Sequence, residues 1–134
     1  LNRTDLRLAT STAGCDPSGD YTQELFNRMG VEGHAARQRA LALVGGRNSA
    51  LIPTGTLAAQ WVIESGQAEM FIGYVSYTNT LRQTEGLTVL AIPEPFNPHA
   101  QYALAVLTPK AQRLAEFIQS KEAKVILREA GFGV

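Results

Sequence analysis

Cysteine is all but missing. Cys15 stands alone among 134 residues, so no internal disulfide can form, and cysteine usage leaves the redox compartment open. A charge excess is missing too: 12 basic and 12 acidic residues leave a formal net charge of zero. That excludes a protein that grips nucleic acid by a broad basic surface, where many phosphates must be neutralised. It does not exclude a small anion, which a handful of backbone amides can hold. No apolar run approaches the length of a membrane-spanning helix. The chain starts at Leu1 rather than methionine, and is therefore expected to be processed, trimmed or a fragment.

Catalytic signatures are equally scarce. There is no HExxH zinc motif and no GxSxG nucleophile elbow, and no lysine follows the glycines at P-loop spacing. His34 and His99 are isolated, so no metal site is expected. The carboxylates show no pairing that would suit acid–base work, and no enzyme is expected. Thr12-Ala13-Gly14-Cys15 has the length of a lipoprotein cleavage box, but no apolar run precedes it. Cys15 is read as a bystander thiol.

What is present is ordinary for a globular domain: 45% apolar and 18% charged residues, in a chain long enough for one core. Strand-like and helix-like stretches alternate, which predicts an α/β fold. Leu6–Thr10 alternates as a strand, and residues 11–19 read as a loop. Tyr21, Leu25, Phe26 and Met29 recur at helical spacing, with Gly30 ending that helix. A second helix is predicted over His34–Val44, a loop over residues 45–54 and a third helix over Gly55–Ser65. Met70–Val75 reads as a buried strand, and Leu87–Ile92 and Tyr102–Leu107 as two more. Pro109 suits a helix first turn, with Leu114, Phe117 and Ile118 giving that helix its face. Lys121–Ala130 forms the last helix. The cations Lys110, Arg113, Lys121, Lys124 and Arg128 lie on the outer faces of these helices, the usual place for solubility charges.

Two turns could carry chemistry. Asp16-Pro17-Ser18-Gly19-Asp20-Tyr21 opens a helix directly after a strand. The first amides of a helix lack internal partners and carry partial positive charge, and a glycine lets an anion approach the backbone. Equally, Asp16 could simply cap the helix with Pro17 as its first residue, and nothing bind. Asp16 and Asp20 count against an anion unless they point away from it. Pro53-Thr54-Gly55-Thr56-Leu57 has the same logic and the same plain alternative. Tyr74, near the end of a strand, could donate a hydrogen bond into a cleft or belong to the core.

In order and spacing these pieces resemble the periplasmic molybdate-binding proteins of ABC importers. The matching residues are the Asp16–Tyr21 turn, Trp61–Glu69 leading into Met70–Tyr74, Ile92-Pro93 before Gln101–Val106, and Ala115–Ser120 with Ala130-Gly131-Phe132. Ala40–Thr54 is longer than the family's equivalent, and Ile72-Gly73-Tyr74 departs from its usual strand ending. The resemblance implies one lobe of a periplasmic-binding-protein-like fold, three-layered, with a mixed sheet flanked by helices. Residues 1–107 would form lobe two, and residues 108–134 would be helices that return to lobe one. It implies a tetrahedral oxyanion such as molybdate or tungstate, held by Ser18, Thr56 and Tyr74 with Ser11, Thr12, Gly19 and Gly55 in support. It further implies membrane subunits of an importer as partners, a periplasmic location and no cofactor. Neutral amides and hydroxyls can hold such a dianion through charge-assisted hydrogen bonds of about 1.5–3 kcal/mol each. Three to five donors would reach micromolar binding, and a single lobe only millimolar, roughly −4 kcal/mol. Other readings stand beside this one: an effector-sensing domain of a transcriptional regulator, an enzyme acting on a phosphorylated substrate, or a non-binding fragment that forms a homodimer through the face left by a missing lobe.

Overall fold

A computed structural model of the chain describes residues 1 and 3–134. The order of elements is β1 (Leu8–Ser11), α1 (Pro17–Arg28), α2 (Val31–Arg39), β2 (Leu41–Val44), α3 (Ala58–Glu64), β3 (Met70–Phe71), α4 (Thr78–Leu81), α5 (Gln112–Ile118) and α6 (Lys121–Glu129). Short 3₁₀ turns at Val75–Tyr77 and Pro109–Ala111 lead into α4 and α5.

The fold is α/β, with helices on both faces of a small sheet. Strand order is β2-β1-β3, and both ladders run parallel. β1 is central and covered on both sides, so all four of its residues are buried. Successive side chains alternate between faces. Leu8 packs with Phe26 of α1 and Ala36 of α2. Ala9 packs on the other face with Val62 of α3, Val44 and Ala68. β3 repeats the alternation: Met70 and Ile72 join the α1–α2 side, Phe71 the α3 side. Full burial of side chains such as Phe26 or Leu25 contributes about 1.5–3 kcal/mol each.

The predicted helix over His34–Val44 is overturned in its second half. α2 ends at Arg39, Ala40 is extended, and Leu41–Val44 is β2. Ala9 pairs with Leu41 and Thr10 with Ala42. A strand in a parallel sheet is a continuous apolar run, and four such residues carry no period that separates strand from helix. The predicted third helix starts late, at Ala58, because Leu57 is extended and Gly55 takes a left-handed φ of 83°. The strand expected over Met70–Val75 pairs only at Met70–Phe71. Leu87–Ile92 and Tyr102–Leu107 join no ladder, and every residue from 101 to 110 is exposed. A strand exists by pairing, and among the described residues these segments pair with neither outer strand of the sheet, β2 or β3. The sheet is correspondingly all parallel.

Candidate functional site

The turn between β1 and α1 is built from its own side chains. Asp16 is extended, and its Oδ1 accepts the Ser18 amide at 2.9 Å, capping α1 with Pro17 as first residue. The Asp16 carbonyl accepts the Gly19 amide at 2.8 Å. Asp20 turns back to accept the Gly14 amide at 2.7 Å. Both carboxylates therefore serve local amides, and Asp16 occupies the helix terminus that the sequence offered to an anion. Ser18 lines a cleft, and with its amide engaged, its hydroxyl is the donor it can present.

Gly19 is where helix and loop come closest. A Cβ there would lie 2.5 Å from Ala13 N and from the carbonyl carbon of Thr12, contacts that only glycine avoids. The Thr12 hydroxyl donates to Val44 O at 2.8 Å, tying the turn to the end of β2. Ser11 is buried at the end of β1.

Tyr74 follows β3 with an extended backbone. Because β2 and β3 lie on opposite sides of β1, the ends of β1 and β3 border a switch in the direction of winding. In parallel α/β sheets such a crevice, outside the carboxyl ends of the strands, is where ligands sit. Ser18 and Tyr74 both line it. The Tyr74 ring packs edge-on to Tyr21 at 6.3 Å and to Tyr77 at 6.4 Å between centroids. Burial, and secondarily the neighbouring Tyr102 and Asp16, push its phenol above the usual tyrosine range. The cleft measures about 1040 Å³. Its far side is formed by the segment around Gln101 and Tyr102 and by the C-terminal helices, including Leu127 and Lys124, with Phe132 beyond them. The Gln101 amide donates to the Tyr21 hydroxyl at 3.1 Å, and Tyr102 packs edge-on against Phe132.

Thr56 is not brought to this cleft. Its amide donates to Pro53 O at 3.1 Å in a turn ahead of α3, next to Gly55. The structure thus brings together Ser18 and Tyr74 and leaves Thr56 and Gly55 apart. The aromatic wall of Tyr21, Tyr102 and Phe132 was not singled out from sequence. Tyr21 lies one helical turn after Ser18, on the same side of α1, which was the one available signal. Among the described residues no three histidine, cysteine or acidic side chains lie close enough together to hold a metal. Cys15 is free and exposed.

Residues 1–133 match the family described as bacterial extracellular solute-binding protein. The chain belongs to that family. A Pasteurella multocida (strain Pm70) protein named uncharacterized protein PM1146 is 41% identical over 133 residues, covering 95% of this chain and 55% of the relative. The chain therefore spans about half the length of the curated relative it matches. No solved structure matches. No helix among the described residues is long and apolar enough to cross a membrane.

Proposed function

We propose that this chain forms lobe two of the solute-binding component of an ABC importer, working in the periplasm, and that its solute is a tetrahedral oxyanion such as molybdate or tungstate. The family membership supports the solute-binding part of the reading. The observation that carries the site is the joint lining of one cleft by Ser18, at the start of α1, and Tyr74, after β3. Two hydroxyls, each worth about 1.5–3 kcal/mol to a charged acceptor, suit millimolar capture by this lobe alone, the end of α1 being already capped by Asp16. Thr56 has no part in it, since its amide is already engaged away from the cleft. The membrane subunits of the importer are the proposed partners, and no catalytic step is assigned.

The test is thermal. Tungstate at about ten times a millimolar Kd adds roughly 1.4 kcal/mol to the folded state, which raises the melting temperature by several degrees. Tyr74→Phe removes one donor and lowers affinity about tenfold or more by titration calorimetry. An unchanged melt in tungstate, or full affinity in Tyr74→Phe, refutes the assignment.

A second reading draws on a different observation. Leu114, Phe117, Val125 and Ile126 are each half exposed or more on α5 and α6, which supports a homodimer through that face.

A further inference from the structure

The cleft is far larger than an inorganic oxyanion. At about 1040 Å³ it lies at the upper end of sites that bury drug-sized molecules, about 300–1,000 Å³. A tetrahedral ion displaces only a few waters, each with a share of about 30 Å³. The remaining space faces Ile72, Ile118, Leu127, Tyr102 and Phe132, against which water finds few hydrogen-bond partners. The ionisable side chains that line the cleft, apart from tyrosines, are Lys124 and His99, and no aspartate or glutamate lines it. A polar end at Ser18 and Tyr74 thus adjoins an apolar chamber with a cation on its wall. We infer that the cleft accepts an organic oxyanion, its charged head against Ser18 and Tyr74 and its apolar body between Ile72 on one side and Ile118, Leu127 and Phe132 on the other. This deepens the oxyanion reading and rests on it for the head group. Lys124 approaches the same chamber from α6 and adds charge complementarity for an acid over a neutral molecule.

Calorimetry on the chain with four probes tests this: molybdate, methylphosphonate, phenylphosphonate and neutral benzyl alcohol. The two phosphonates share a tetrahedral head and differ in apolar body. Phenylphosphonate is expected to bind at least about tenfold tighter than methylphosphonate, as burial of a ring predicts, and benzyl alcohol far more weakly than phenylphosphonate. Ile118→Gln, at a position 36% exposed, reduces the gain from the ring, with an unchanged melting temperature as the control for folding. Leu127→Gln provides a second wall position, and Tyr74→Phe weakens both phosphonates alike. Equal affinity for the two phosphonates overturns the organic-body inference while leaving the head-group reading standing. Equal binding of benzyl alcohol and phenylphosphonate overturns the requirement for a charged head. Failure of molybdate and both phosphonates overturns both readings.

Discussion

Glu69 and Arg7 show how single residues join the outer strand to the centre. The Glu69 carboxylate accepts the Arg7 amide at 2.7 Å and is paired with the Arg7 guanidinium, while the Glu69 amide donates back to Arg7 O at 3.1 Å. The guanidinium first, and the backbone amide second, lower the Glu69 pKa from 4.5 to about 2. The folded value lies below the unfolded one, so the stability it lends is present above pH 4.5 and is lost as pH falls toward 2. Both side chains are open to solvent, which keeps the effect small. Glu69→Gln is expected to flatten this part of the acid limb. Melting temperatures at about pH 6 and about pH 3 should differ less in the variant than in the parent, and an identical difference would sink the assignment. Tyr74 illustrates the reverse shift. Burial raises its phenol above the usual tyrosine range, and like any tyrosine at neutral pH it is a protonated donor.

Among the elements, α1 and α2 are held against each other by absence of a side chain. Only Met29 and Gly30 separate them, and Gly30 takes a left-handed φ of 62°. A Cβ on Gly33 would sit 1.9 Å from Phe26 O and 2.8 Å from Met29 Cβ. Alanine normally gains about 1 kcal/mol over glycine inside a helix. Here a backbone carbonyl stands in the way and cannot swing aside, so overpacking of about 1–3 kcal/mol prevails. Gly33→Ala should therefore lower the urea midpoint with little change in slope. A midpoint at or above the parent's would show that the helices can part at no cost. The same pair of helices backs β1 through Phe26 and Ala36, so the turn bearing Ser18 depends on this packing.

At the scale of the whole molecule the core is uneven. Buried apolar residues concentrate between Leu8 and Ala68, whereas α5 and α6 contribute Ala115 and Ala123. Their larger apolar side chains face outward, Leu114 at 60% exposure and Ile126 at 58%. Water-exposed apolar faces of this kind drive association. Light scattering coupled to size exclusion should show mass rising with concentration, and Phe117→Glu with Ile126→Glu should hold the chain monomeric without lowering its melting temperature. A parent that stays monomeric at every concentration would refute the homodimer reading.

Much of the architecture is legible in the chain because its signals are local. The Asp16-Pro17 start of α1 and the Gly30 stop after it each act within a helical turn, as does the spacing of Leu25 with Phe26. Those signals suffice for the α/β class and for where Ser18 and Tyr74 fall along the chain, one at the start of α1 and the other just after β3. What the tertiary structure alone decided is non-local. Leu41–Val44 is a strand because it pairs with β1, and Tyr102–Leu107 is none because it pairs with neither edge strand. Thr56 stands apart from the cleft, and Tyr21, Tyr102 and Phe132 wall it, because the chain brings residues some eighty to a hundred and ten positions apart into one place. Pairing and enclosure are properties of distance in space, and no window of neighbouring residues contains them.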